Sequence, residues 1–271
     1  MFNWIARIST GIGIVAVLLA YLSFHHQVDP PIYAHTEMDA LLQNFRQLNR
    51  SCFIVGASGE SGKALLKEVV RLKPFARIVL ISRRKLEYED EELKKLEQRV
   101  IDFDKIDELH QNDFQGFDVG YSCLGTTRGK AGKEGFIKIE HDYTLSVAKA
   151  AKAGGTKHFQ LVSSRGVDEN SFFLYYQVKG QTDREVCELG FERVSIYRPA
   201  VLLVDRVERR PLEKVAQALL KPVAYIAPTF ISTPIDILAK AMILNTINNG
   251  PPGAQIVDNK EIHQLGNSLT V

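Results

Sequence analysis

The chain of 271 residues is poor in the features that mark specialised protein classes. Cysteine is scarce: Cys52, Cys123 and Cys187 are odd in number and widely spaced. That pattern argues against a disulfide framework or a cysteine zinc site and points to reduced thiols in an intracellular-type domain. An excess of one charge is also missing. With 34 basic and 32 acidic residues interleaved, the net charge is +2, so no bulk electrostatic case exists for binding nucleic acid. The seven histidines show no metal-ligand spacing, and no internal repeat is present, which removes solenoid architectures. What remains is ordinary globular composition, 45% hydrophobic and 24% charged, with room for one large α/β domain or two small ones.

Long apolar runs are absent except at the start. Residues 5–24 are almost wholly apolar or small, with Arg7 as the single charge and Trp4 and Tyr21 near the ends. About 20 residues at a rise of roughly 1.5 Å each would just cross a bilayer core, and the aromatics suit its interfaces. The expectation is a membrane anchor within residues 1–27. A cleaved signal peptide is the rival, but Tyr-Leu-Ser-Phe-His-His is a poor cleavage site; a core helix is the third reading. Arg7 biases the N-terminus towards the cytosol, whereas free thiols and a nucleotide fold favour a cytosolic domain. An anchor facing the cytosol from the mitochondrial outer membrane or endoplasmic reticulum reconciles most of this; a cytoplasmic protein is the alternative. Residues 28–49 form a linker broken at Asp29-Pro30-Pro31, then an amphipathic helix carrying Met38, Leu41, Leu42, Phe45 and Leu48.

From residue 50 to 271 the pattern is strand and helix in alternation. Apolar strands are expected at 52–55, 77–82, 99–103, 117–124, 157–163 and 193–198, with helices at 61–71, 106–114, 135–153 and 175–189 between them. Alternation of this kind means an α/β fold, a doubly wound parallel sheet. A further helix is expected at 235–246 and a strand at 254–257.

The first strand runs into Gly56-x-x-Gly59-x-x-Gly62, with Ser58, Glu60 and Ser61 between the glycines, and a helix follows. Strand, glycine turn and helix present unpartnered N–H groups and a favourable dipole to a dinucleotide pyrophosphate. After the second strand, where an acidic residue would select NAD, stand Arg83 and Arg84. Two guanidiniums suit a 2′-phosphate, so NADP(H) is the expected cofactor. Asp102 falls beside the adenine. Leu124 and Gly125 let the backbone pass close to the cofactor, and Thr126-Thr127-Arg128-Gly129-Lys130 reads as a mobile loop above it. Ser163 and Ser164 close the fifth strand. Tyr175 and Lys179, four apart, share a helix face. An ammonium beside a tyrosine favours its ionised form and makes proton exchange with a carbonyl feasible near neutrality. A serine hydroxyl, Ser164 before Ser163, can orient that carbonyl.

These motifs together resemble the short-chain dehydrogenase/reductase superfamily. Gly-Ala-Ser-Gly-Glu-Ser-Gly, Ser-Arg-Arg-Lys-Leu, Cys-Leu-Gly-Thr-Thr-Arg-Gly-Lys-Ala-Gly, Gln-Val-Lys-Gly and Tyr-Arg-Pro-Ala-Val-Leu-Leu are closer to one atypical branch, the Tat-interacting oxidoreductase family. The likeness runs from about residue 38 to near the C-terminus. It implies a Rossmann domain of monomeric size that binds NADPH. By motif, Ser58, Gly59, Glu60 and Ser61 lie on the phosphate turn, and Arg83 and Arg84 on the 2′-phosphate. Leu124 and Gly125 lie along the cofactor, Tyr175 and Lys179 at the reactive end, Leu202 beside the nicotinamide, and Arg210 at a further cofactor contact. The resemblance also implies regulatory roles through protein partners. Two departures stand out. Residues 135–153 hold no asparagine, which many short-chain reductases place there for proton relay, and Ala200 follows Pro199 where relatives have glycine. The expected function is NADPH-dependent reduction of an unidentified carbonyl substrate; the alternative is an NADPH-binding sensor or scaffold with little turnover.

Overall fold

A computed structural model describes residues 35–203 and 232–269. The anchor expected at 5–24, the linker at 28–34, Arg210 and most of the proline-rich stretch near 205–234 lie outside the described residues. Among the described residues no helix is long and apolar enough to cross a membrane.

The elements in order are α1 (His35–Gln47), β1 (Ser51–Val55), α2 (Glu60–Leu72), β2 (Arg77–Ser82), α3 (Glu91–Lys94), β3 (Glu97–Val100), β4 (Val119–Ser122), α4 (Arg128–Ile137), α5 (Thr144–Ala153), β5 (His158–Val162), α6 (Leu174–Glu188), β6 (Arg193–Tyr197), β7 (Val201–Leu203), β8 (Ser232–Pro234), α7 (Ile235–Ile247), β9 (Gly253–Val257) and α8 (Asn259–Ser268). Seven strands form one sheet in the order β3-β2-β1-β4-β5-β6-β9, and every pairing within it is parallel. The order reverses between β1 and β4. In open parallel sheets that crevice, at the carboxyl ends of the strands, is where ligands bind. β7 and β8 form a separate parallel pair.

Side chains alternate across the sheet, as a two-residue strand period requires. On β1, Cys52 and Ile54 face one core with Met38, Leu42 and Phe45 of α1, Leu65, Leu66 and Val69 of α2, and the buried side of α7. Phe53 and Val55 face a second core with Phe103, Phe114 and Phe117, Val147 and Ala151 of α5, and Val186 of α6. The apolar stripe read on α1 packs as expected, except that Leu48 is exposed. All three cysteines are free thiols; Cys52 and Cys123 are buried, and burial pushes the Cys123 thiol up to about 12.

Three local expectations give way. The third strand sits earlier than 99–103, because Val79 to Ser82 pair with Glu97 to Val100. Arg77 holds Glu97 at 2.8 Å, while Ile101 and Phe103 turn into the second core instead. The segment 106–114 is a chain of 3-10 and π turns rather than a regular helix. Finally, the stretch 126–130 is not an open loop. Helix α4 begins at Arg128, with the Lys130 and Ala131 N–H groups bonded to the Thr127 carbonyl. It is broken at Gly132, whose φ of 72° lies in the left-handed region. A π turn, Lys138–Tyr143, joins it to α5.

Candidate functional site

Apart from Arg210, which lies outside the described residues, the residues singled out from the sequence lie on the strand ends of the sheet's carboxyl edge, on the turns that follow them, at the start of α2, or on α6 and β7. β1 gives way to Gly56, whose φ of +81° lies in the left-handed region that favours glycine. A Cβ there would lie 2.4 Å from the Cys123 backbone, so β1 and β4 close tightly at the crevice. A Cβ on Gly62 would lie 2.2 Å from the Gly56 carbonyl, which is how α2 seats itself against the turn. Gly59 precedes α2 in extended backbone, and no side chain caps the helix. Ser58, Gly59 and Glu60 are exposed and Ser61 is half-buried. The first-turn N–H groups of α2 therefore face the crevice with a small, polar, glycine-lined approach, which fits a pyrophosphate. The Glu60 carboxylate is drawn towards Lys63, 4.0 Å away.

Arg83 and Arg84 stand exposed just past β2, where Ser82 Oγ donates to the Arg84 carbonyl at 2.6 Å and turns the chain. Asp102 accepts from the Asp104 N–H at 3.0 Å and caps the turn after β3, so one of its carboxylate oxygens is already engaged. Past β4, Leu124 is half-buried and Gly125 exposed. Leu202 lies on β7 and packs partly against the first core.

The reactive end is built on α6. Tyr175, Lys179 and Asp183 follow one another at four-residue spacing, so they share the face turned to the sheet. Tyr175 is at the opening turn, 38% exposed, its ring 5.8 Å from that of the buried Phe136 and 5.2 Å from that of Tyr176. Lys179 is buried. Gly180 allows this depth, since a Cβ there would meet the Glu169 N–H at 2.4 Å. The Lys179 Nζ donates to Glu140 Oε2 at 2.7 Å. Burial alone would depress the ammonium, but the Glu140 carboxylate, with Tyr175 and Asp183, reverses this, and the Lys179 pKa is raised. Burial pushes the Asp183 carboxyl up, against the pull of the neighbouring Ser163 hydroxyl, Arg198 and Lys179; Arg198 Nε donates to it at 2.9 Å.

Ser163 and Ser164 differ. Ser163 is buried and lines a small cleft with Leu124, Glu140, Thr182, Lys179 and Asp183. Its Oγ makes no hydrogen bond of standard geometry. Ser164 is half-buried with its Oγ 3.5 Å from the Arg165 carbonyl.

Glu140 and Asp183 escaped the sequence reading. Glu140 is 5% exposed and sits in the π turn, a feature that often marks functional sites. Its Oε1 accepts the Thr126 N–H at 2.7 Å. The signal was its place on the apolar stripe Phe136, Tyr143, Val147, where a carboxylate at helical spacing must find a buried partner.

Comparison with known proteins gives the family and the fold. Residues 56–217 match a family model described as NAD(P)H-binding. The chain is 46% identical over 226 residues to protein HTATIP2 of Rattus norvegicus, covering 83% of this chain and 93% of that one. It is 37% identical over 171 residues to the mitochondrial protein FMP52 of Candida albicans, covering 62% of this chain and 75% of the relative. Among solved structures, a short-chain dehydrogenase/reductase superfamily protein of Agrobacterium tumefaciens with bound NAD superposes with a TM-score of 0.56 at 14% identity. The match covers 77% of this chain and 76% of that one. The UDP-glucuronic acid 4-epimerase of Bacillus cereus in complex with NAD gives 0.57 at 13%, again over 77% and 76%. At such identities the likeness is one of fold.

Proposed function

The chain belongs to the NAD(P)H-binding, oxidoreductase-like family that includes rat protein HTATIP2, and on that premise we propose that it is an NADPH-dependent reductase of carbonyl compounds. The observation that carries the reading is the buried Lys179 ammonium, held by Glu140 at 2.7 Å, one helical turn from Tyr175. The phosphate turn is Gly56, Ser58, Gly59, Glu60, Ser61 and Gly62, with the open N-terminus of α2 facing the diphosphate. Arg83 and Arg84, exposed past β2, hold the 2′-phosphate and select NADP over NAD. The free oxygen of Asp102 accepts from the adenine amine. Leu124, Gly125 and Leu202 line the cofactor's path, with Arg210 as a further contact.

NADPH, when bound, supplies a hydride to the carbonyl carbon. The Tyr175 hydroxyl donates the proton to the carbonyl oxygen. Lys179, kept charged in a dry setting, stabilises the tyrosinate left behind and hydrogen-bonds the ribose. A serine hydroxyl orients the carbonyl; Ser164 is on the open side and Ser163 on the buried side next to Lys179. We place the chain on a membrane through residues 5–24 with the domain facing the cytosol. The mitochondrial designation of the fungal relatives supports a mitochondrial surface.

A second reading, a cofactor-dependent scaffold for protein partners, draws on Phe172 and Phe173. Both are exposed just before α6, with the Phe173 ring 6.4 Å from that of Tyr176. Tyr175→Phe separates the two. The reductase reading predicts a loss of roughly 10²–10⁴-fold in kcat with NADPH affinity nearly intact; carbonyl reduction that survives this change would show that Tyr175 is not the acid.

A further inference from the structure

We propose that Glu140 is a positioning residue of the site: its carboxylate holds the Lys179 ammonium charged and aimed beside Tyr175, and ties it to the segment that follows β4. The proposal rests on the reductase reading of Tyr175 and Lys179.

The geometry is that of a two-sided clamp. One oxygen of Glu140 accepts from Lys179 Nζ at 2.7 Å; the other accepts the Thr126 N–H at 2.7 Å. A Cβ on Gly125 would lie 3.4 Å from the same Oε1, so the backbone beside the cofactor path leans directly on the carboxylate. Both partners of the pair are almost free of solvent, at 10% side-chain exposure for Lys179 and 4% for Glu140. A lone ammonium at that depth would shed its proton, because burial disfavours the charged form. The π turn supplies the reach. It widens the helix by one residue per turn at 138–143, and Thr182 Oγ1 donates to the Glu140 carbonyl at 3.2 Å, fixing the turn against α6.

The other charges near Lys179 are accounted for. Asp183, one turn further along α6, is engaged by Arg198 from the end of β6 at 2.9 Å. Tyr175 lies one turn back. His141, next to Glu140, is turned away to Glu185 of α6 and to Asp142. Lys179 of α6 thus pairs with Glu140, and Asp183 of α6 with Arg198. Of these two pairs it is the first that reaches the segment after β4, through Glu140 and the Thr126 N–H. The consequence is a working range: reduction needs a charged lysine beside a protonated tyrosine, and Glu140 extends the pH to which the lysine stays charged.

The test is the titration of Lys179 by NMR of full-length chain carrying ¹³C at the lysine Cε, assigned with Lys179→Met. In the wild type the Lys179 signal does not titrate below about pH 10.5, the ordinary lysine range. In Glu140→Gln, of the same size but uncharged, its midpoint falls by about one unit or more. Glu140→Asp keeps the charge and holds the midpoint above that of the glutamine variant. In parallel, the basic limb of the kcat/KM profile for NADPH-dependent reduction moves down in Glu140→Gln. An unmoved Lys179 midpoint in a folded Glu140→Gln chain overturns the proposal. So does a Glu140→Gln chain that cannot fold, which would make Glu140 structural only. Neither readout repeats the Tyr175→Phe test: absent turnover in the wild type refutes the reductase reading and leaves the Lys179 titration to decide the clamp.

Discussion

Replacing Lys179 with methionine tests whether the ion pair under the site is as dry as it looks. The change removes the partner of Glu140 Oε2 and leaves a carboxylate of 4% side-chain exposure holding only the Thr126 N–H. Breaking a buried pair from one side costs about 3–5 kcal/mol, because one charge is stranded without solvent or partner. For a domain of this size each kcal/mol lowers the melting temperature by roughly 2–4 °C, so the loss should be on the order of 10 °C at pH 7. The stranded carboxylate can escape by taking up a proton. A group whose folded pKa rises above its unfolded value contributes stability below the unfolded value and loses it as pH climbs. The deficit of Lys179→Met should therefore be largest at neutral pH and shrink towards pH 4–5. Adding Glu140→Gln to Lys179→Met should recover much of the loss at pH 7. Urea unfolding of the single and double variants from pH 4.5 to 8 reads all three effects. A Lys179→Met chain within about 1 kcal/mol of wild type at pH 7, or a deficit that does not depend on pH, would refute the claim of a dry pair.

Two other expectations follow from the same geometry. Arg83→Ala with Arg84→Ala should weaken NADPH binding by roughly 150-fold, from two exposed charge-assisted contacts at the low end of about 1.5–3 kcal/mol each. NADH binding should change by less than about threefold, and equal losses in a calorimetric titration would sink the 2′-phosphate assignment. Buried His158, bonded to Ser195 Oγ at 2.9 Å, is held well below 6.5 by burial and by the cations Arg193 and Arg50. The folded chain then refuses a proton that the unfolded chain accepts. Stability should fall as pH drops below about 6.5, by at most roughly 1.4 kcal/mol per unit from this group, and His158→Gln should flatten that slope in thermal melts.

The doubly wound sheet was legible because parallel strands buried on both faces leave continuous apolar runs, as at Val79-Leu80-Ile81. The glycine turn was legible for a related reason: strand, glycines and helix occur in that order in few other settings. Where the chain relies on polar groups inside, the sequence is less open. Tyr121, Gln160, Tyr197, Asn245 and Thr246 form a buried hydrogen-bonded network between the sheet and α7, yet each residue alone resembles a surface or strand position. Glu140, in the run Lys138-Ile139-Glu140-His141-Asp142, looks like part of a solvated face, and the π turn that buries it has no composition of its own. The third strand slipped for a similar reason. Its pairing is set by Arg77 reaching Glu97 and by Gln98 bonding the Leu86 backbone, not by the apolar Val100, Ile101 and Phe103 that drew attention to 99–103.

The central claim is that the cofactor on the Gly56–Gly62 turn is consumed at Tyr175 rather than only held. The most direct measurement is isotope transfer from NADPH carrying deuterium at the reactive carbon of the nicotinamide. Full-length chain would be incubated with aldehydes and ketones and the products weighed by mass spectrometry. One deuterium on the former carbonyl carbon of at least one product, lost in Tyr175→Phe, is the predicted result. Tight NADPH binding with no deuterium in any product would contradict the account and leave the scaffold reading standing.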